Sequence, residues 1–232
     1  MNEKLIAATD CPVLIKQLTS MVDEVVYDEG KNTLNFYQEE KKCAQLRLPI
    51  FWNSPEKMSQ NQPEETNYVL LIVRSGIAAV GYFENGENID HKVFRAYMVR
   101  KKQGKSQIKH LKTKGKSRAG SRVRLAETMA FFEAINTRLK HYFDVYRVDK
   151  IGVSYATTLV PYVFGSKVET PFTKDDPRIF KIPKHVANPT YESLLETNLF
   201  MLKAAVKYED HIASAITSIH DNTNNDEDLE DW

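Results

Sequence analysis

Arg100-Lys101-Lys102-Gln103-Gly104-Lys105-Ser106-Gln107, followed by Lys114-Gly115-Lys116 and Ala119-Gly120-Ser121, is the stretch around which this chain is organised. It sits inside a longer segment, Lys92 to Arg124, that holds 13 of the 32 Lys and Arg residues and no Asp or Glu; the other 199 residues carry 19 basic and 31 acidic groups. A formal net charge of +1 therefore hides a strongly positive pole. Between Lys101 and Arg122 only Ile108 and Leu111 are large aliphatics, too few to build a core. The composition predicts a loop, residues 100–120, that meets phosphates.

Working outward, the run Tyr68–Val73 is nearly continuous in apolar residues and predicts a strand covered on both faces. Gly76–Phe83 predicts a second strand, and Asn85-Gly86 a hairpin turn, because both residues tolerate positive φ. A third strand, Asp90–Val99, then delivers the chain into the basic loop. Beyond the loop Ser121 is a candidate helix cap, with Leu125, Met129, Phe132 and Leu139 on one face and Ala126, Ala130 and Ile135 flanking them. Arg122 and Arg124 then fall in the first turn, where the helix dipole disfavours cations unless an anion lies nearby. Lys150–Tyr155 predicts another strand, Thr157–Phe164 a short helix or turn, and Arg178–Ile182 a further strand. A last helix is expected from Asn188 as cap and Pro189 at its first position, with Leu195, Leu199, Leu202 and Val206 as its stripe, persisting to about His220. This order argues for an α/β domain, residues 68–220, with a mixed β-sheet layered with helices.

Residues 1–60 predict an N-terminal elaboration or small subdomain, with a helix over Pro12–Val22 and strands Glu24–Tyr27 and Thr33–Tyr37 around the turn Asp28–Asn32. Asn53–Asn67, with Pro55 and Pro63 among polar residues, is the candidate boundary. Residues 221–232 carry six acidic groups and no basic one, which predicts a disordered acidic tail. At 42% hydrophobic and 27% charged residues the chain has the composition of a packed globular protein. No apolar run approaches the roughly 18 residues of a membrane span, and no secretion signal is visible, so the expectation is a cytoplasmic protein without membrane contact. Cys11 and Cys43 have neither paired nor metal-type spacing, which suits structural thiols in a reducing compartment.

The order of residues in the basic segment resembles the Vms-like release factors, relatives of the middle domain of eukaryotic class-one release factors. Their pattern is approximately Arg-Tyr-x-x-Arg-Arg-Lys-Gln-Gly-Gly-Ser-Gln, then Lys-Gly-Lys and Ser-Ala-Gly-Ser. It falls here on Tyr97, Arg100, Lys101, Lys102, Gln103, Gly104, Ser106, Gln107, Lys114, Gly115, Lys116, Ala119, Gly120 and Ser121. Lys105 stands where the family has its second glycine, and Ala96 where it has arginine. Weaker similarity runs through Asp149–Phe164 and from Phe180 to Tyr191. The resemblance implies the release-factor middle-domain fold, of the RNase H-like, translational-machinery-component type. It implies action on stalled peptidyl-tRNA at the large ribosomal subunit, freeing the nascent chain. Members cut the tRNA near its 3′ acceptor end, whereas true release factors hydrolyse the peptidyl ester. With no zinc-finger cysteines, ankyrin repeats or extended partner-binding tail, the chain is expected to be a stand-alone, bacterial-type member.

The resemblance makes Gln107 the central residue, and the chemistry is intelligible. A neutral amide cannot be a general base near pH 7, so Gln107 can only orient a water, a 2′-hydroxyl or a phosphate oxygen. Arg100 and Lys102, with Lys101, suit charge growing on a phosphoryl group, and Tyr97 suits stacking on a base or bonding to a phosphate. Lys101, Gln103, Gly104, Lys105, Ser106, Lys109, Lys112, Lys114, Lys116, Arg118, Arg122 and Arg124 form the expected RNA-binding set. No carboxylate lies in the segment to hold Mg²⁺, so no metal and no cofactor is expected. Gly115-Lys116-Ser117 lacks the glycine of a Walker loop, His110 occupying its place, which argues against nucleotide hydrolysis. His110 itself reads as a bystander. The rival function is a non-catalytic module that docks on ribosomal or transfer RNA; neither reading fixes an oligomeric state.

Overall fold

The computed structural model describes residues 1–52, 54–55, 65–96 and 116–217, with residues 116–125 as backbone alone. It divides into two compact units, residues 1–66 with 198–232 and residues 67–197. The expected acidic tail lies outside the described residues.

The second unit contains the anticipated mixed sheet, in the order β7-β6-β5-β8-β9. Strands β5 (Asn67–Arg74), β6 (Ile77–Glu84) and β7 (Glu87–Arg95) pair antiparallel, while β8 (Lys150–Ser154) and β9 (Ile179–Lys181) run parallel to β5. The first hairpin turns through Gly76 at φ 82°, the second through Asn85 and Gly86 at φ 49° and 93°, the positive-φ pair that the Asn-Gly signal requires. Six consecutive residues of β5 are buried, because both faces of the sheet are covered. On one face Val69, Leu71, Val73, Ala78, Val80, Tyr82, Ile151 and Val153 share a core with α2 (Lys116–Val145) and α3 (Val160–Phe164). On the other face Gly81 and Gly152 leave room for close neighbours. A Cβ on Gly81 would stand 2.7 Å from Leu194 of α4 (Tyr191–Leu202), and one on Gly152 2.7 Å from Phe180.

The first unit is a separate antiparallel sheet, β1-β10-β4-β3-β2, formed by β1 (Asn2–Ile6), β2 (Glu24–Asp28), β3 (Thr33–Gln38), β4 (Lys41–Arg47) and β10 (Ala204–Tyr208). Leu34, Phe36, Ala44, Leu46, Ala204 and Val206 pack with Leu14 and Leu18 of α1 (Cys11–Thr19) and with Ile212 and Ile216. Cys11 is buried there, its thiol pushed up to about 12 by that burial. Asn32, at φ 50°, closes the turn after β2 and donates to the carbonyls of Pro49 (3.3 Å) and Trp52 (2.8 Å). β3 and β4 join through Glu39 and Glu40, both at positive φ.

Several expectations are overturned. The last helix ends at Leu202 instead of persisting to His220, and its expected continuation holds β10, a strand of the first sheet. Residues 198–217 therefore belong with the N-terminal unit and not with a single domain over 68–220. That helix is not capped by Asn188 with Pro189 leading. Thr190 Oγ1 accepts from the Ser193 N–H (3.2 Å) while Ser193 Oγ accepts from the Thr190 N–H (2.8 Å), a reciprocal cap. Its buried face is Leu194, Thr197, Asn198 and Met201, and Leu199 is 58% exposed. β7 begins and ends earlier than the expected Asp90–Val99.

Candidate nucleic-acid interface

The carboxyl ends of β5, β7 and β8 lie together at one end of the second unit's sheet. Arg74 closes β5 opposite Ile77, Arg95 closes β7 opposite the same residue, and Ser154 closes β8 opposite Ile72. The Ala96 N–H donates to the Gly76 carbonyl (2.9 Å), so β7 stays tied to the sheet up to the point where the basic segment departs. In open α/β sheets this is the end at which ligands are bound.

The chain re-enters through α2. Its 30 residues correspond to about 45 Å of helix. Near its C-terminal end Tyr146 stacks on Tyr82 at 4.2 Å, and the Tyr82 hydroxyl donates to the Arg147 carbonyl (3.1 Å). Arg138 forms an ion pair with Asp90 of β7 and lies 5.0 Å over the Tyr142 ring. The two elements that flank the basic segment are thereby bound to each other. Ten residues, about 15 Å, separate Tyr142 from Phe132, which puts Phe132 toward the carboxyl end of the sheet. Phe131 is the first core residue of α2 among the described residues. The fifteen residues ahead of it amount to about 22 Å of helix that starts at that same end.

Tyr97, Arg100, Lys101, Lys102, Gln103, Gly104, Lys105, Ser106, Gln107, Lys109, Lys112 and Lys114 lie outside the described residues. Lys116, Arg118, Arg122 and Arg124 are placed on α2, whose helical backbone begins at Lys116. The expected loop over 100–120 thus gives way to helix at 116, and Ser121 is interior to that helix and not its cap. Arg122 and Arg124 accordingly lie beyond the first turn, where Lys116 and Arg118 stand instead. Among the flanking apolar positions Ala126 and Ala130 are exposed, and the buried face is Phe131, Phe132, Ile135, Leu139 and Tyr142.

Three features at this end were not singled out in the sequence. Arg74 donates to the carbonyls of Val73 (2.8 Å) and Ser154 (2.7 Å) and to Ser154 Oγ (3.0 Å), and burial lowers the pKa of its guanidinium. Tyr155, next after β8, is half-buried, which raises its phenol pKa. Tyr162, on α3, is exposed and stacks on Phe132 with ring centroids 5.5 Å apart at 18°. The only advance signal was an aromatic residue soon after the carboxyl end of a strand. Among the described residues no group of His, Cys, Asp and Glu is arranged to hold a metal ion, and no helix is long and apolar enough to cross a membrane.

The second unit is thus a mixed α/β unit whose edge strand and long helix flank a strongly cationic stretch of the sequence. The particular family follows from the sequence of that unit: the chain belongs to the Bacteroidetes VLRF1 release factors, whose family model matches residues 68–209. Membership gives it a place among ribosome-associated release and rescue factors. Among solved structures the chain is similar to one described as a Vms1 mitochondrial localization core, with a TM-score of 0.43 and 16% identity over 89% of this chain and 91% of that one. No curated protein sequence matches it.

Proposed function

We propose that this protein frees nascent chains from stalled peptidyl-tRNA on the large ribosomal subunit, in the cytoplasm, by cutting the tRNA near its acceptor end or by hydrolysing the peptidyl ester. The observation that carries the reading is the ordered release-factor pattern over Tyr97–Ser121, in a chain whose family match spans residues 68–209. Gln107 orients the attacking group, a 2′-hydroxyl for cleavage or a water for ester hydrolysis, through its amide. When a 2′-hydroxyl attacks the adjacent phosphorus the P–O5′ bond breaks, and negative charge grows on the phosphoryl oxygens. Arg100, Lys101 and Lys102 stabilise that charge, and Tyr97 holds a neighbouring base or phosphate. The other basic and small polar positions, Gln103 to Ser106, Lys109, Lys112, Lys114, Lys116, Arg118, Arg122 and Arg124, hold the tRNA backbone.

The test is incubation of the full chain with labelled peptidyl-tRNA on stalled large subunits. Shortened tRNA identifies a nuclease, and intact deacylated tRNA an esterase. Gln107→Ala should lower the rate by about 100-fold or more. Its RNA affinity and salt dependence should stay unchanged, because a neutral amide releases no counterion. Lys105 in place of the family glycine favours one rival, a module that binds the tRNA without chemistry. Neither product forming with the wild-type chain would decide for that rival, and an unaltered rate in Gln107→Ala would remove Gln107 from the mechanism.

A further inference from the structure

Arg74 and Arg95 both pair with Ile77, from either side of β6. Directly opposed residues of an antiparallel ladder share a face, so both arginines stand on the same face of the sheet at its carboxyl end, their Cα atoms two strand spacings or about 10 Å apart. β8, on the other flank of β5, adds Ser154 to that face, where its hydroxyl accepts from Arg74. The order of the sheet divides at β5: the chain leaving it turns back into β6 on one side, and its parallel neighbour β8 lies on the other. Such a switch point is where open α/β sheets take ligands.

Donors outnumber acceptors there. Nη1 of Arg74 uses both protons on the Val73 and Ser154 carbonyls, and Nη2 uses one on Ser154 Oγ. One Nη2 proton remains, and the Nε–H is buried with no partner among the described residues. Ser154 Oγ, having accepted, keeps its own proton to donate and has no acceptor for it among them. Arg95 is exposed and forms no hydrogen bond or ion pair among them. No carboxylate offsets Arg74 either: burial alone acts on its guanidinium pKa, and lowers it. The carboxyl of Glu192, at the start of α4, is lowered chiefly by its own backbone N–H and by Thr190, with Arg95 a lesser influence. A partly buried cation without a counter-charge, beside a second cation and a spare hydroxyl, lacks an oxyanion. Two cationic points about 10 Å apart suit a chain of repeated charge better than one small anion.

We propose that Arg74, Ser154 and Arg95 hold neighbouring phosphates of an RNA backbone laid across the carboxyl ends of β5 and β7. One phosphate takes the spare Nη2 proton of Arg74 and the Ser154 hydroxyl, and the next takes the Arg95 guanidinium. That the polyanion is RNA rests on the reading of the protein as one that acts on tRNA. The site consists of these three side chains alone and touches no base, so it positions the strand without reading its sequence.

The test uses the full chain and a fluorescently labelled single-stranded RNA, with binding followed by anisotropy across a salt series and urea unfolding recorded for each variant. Arg95→Gln should lower the salt slope by about 0.7, the increment for one phosphate on a single strand, and so weaken binding about fivefold at about 0.1 M salt. Arg74→Gln should lower the slope equally. Ser154→Ala should weaken binding about threefold at an unchanged slope, since a hydroxyl releases no counterion. Lys140→Gln, at an exposed cation farther along α2, is the control and should match the wild type in affinity and slope. Arg74→Gln also loses three bonds within the sheet, so if it unfolds the decision rests on Arg95→Gln and Ser154→Ala. An Arg95→Gln slope equal to that of the wild type, or a Lys140→Gln loss as large as that of Arg95→Gln, overturns the site and leaves the release-factor reading standing. Slopes that fall as expected, with wild-type protein that leaves peptidyl-tRNA intact, support the site and overturn the chemistry. Failure of the wild-type chain to bind the RNA overturns both.

Discussion

Replacing Asn136 by leucine, a side chain of similar size without polar atoms, removes both bonds that fasten α3 and the segment behind it to α2. The Val163 carbonyl is in a buried bond and the Val168 carbonyl in a partly buried one. Leaving a buried acceptor without a donor costs about 1–3 kcal/mol, and the partly solvated one falls at the low end of that range. Asn136 Oδ1 is buried without a partner, so its removal returns about 1 kcal/mol. The balance is a loss of about 1–3 kcal/mol, read as a lower urea midpoint at unchanged slope by circular dichroism. Asn136→Asp sharpens the test, because at pH 7 it sets a carboxylate against two carbonyl oxygens. It should be less stable than the leucine variant there. Those oxygens raise the folded pKa of the new carboxyl above its unfolded value of about 3.9. The penalty is therefore present at neutral pH and fades as pH falls through the raised value, where the protonated acid regains one donor. A leucine variant within about 0.5 kcal/mol of wild type, or an aspartate variant more stable than leucine at pH 7, would refute this account of the clamp.

Two further outcomes follow from features outside the basic segment. Burial pulls the Lys150 ammonium down to about 8 from its ordinary 10.5, against the opposing influence of Asp149. The unfolded chain then holds this proton more tightly, so the wild type should gain on the order of 2–3 kcal/mol relative to Lys150→Met between about pH 8 and 10.5. Parallel stability curves for the two proteins over that window would contradict it. The turn from β3 to β4 places Glu39 and Glu40 at φ 49° and 61°, a backbone that suits Asn-Gly. The double change Glu39→Asn, Glu40→Gly should raise stability by about 1 kcal/mol in urea unfolding, and a decrease would show that the acidic turn holds a contact worth more than its strain.

What could be read in the sequence depended on how local the deciding interactions were. β5 was legible because burial on both faces leaves an unbroken apolar run, and the β6–β7 turn because Asn85-Gly86 is specific to its backbone geometry. β1 and β4 were missed, since Asn2–Ile6 is short and polar and Lys41–Arg47 begins and ends in cations, so neither shows a clean alternation. β10 was misread for a sharper reason. Leu195, Leu199, Leu202 and Val206 repeat at four, three and four residues, which imitates a helical stripe, yet Leu199 faces solvent and Val206 pairs with Leu46 across the sheet. Long-range pairing overrode local periodicity. At the candidate interface, charge and residue order identified the basic segment and its family, but Ser121, a helix cap by residue type, lies inside a helix that continues through the Ala119-Gly120-Ser121 signature. Tyr162 escaped notice because its meaning comes from Phe132, thirty residues earlier in the chain and beneath it in space.

The position of β10 also bears on how the protein is made. The four other strands of its sheet lie within the first 47 residues, and β1 pairs with none of them. At synthesis rates of about 5–20 residues per second, residues 204–208 arrive roughly 10–30 s after β4 has emerged. Throughout that interval the lane between β1 and β4 stands empty, its backbone groups available to any extended chain nearby. Translation that halts short of residue 204 therefore leaves not a trimmed protein but an unclosed one, with β1 adrift and one margin of β4 bare.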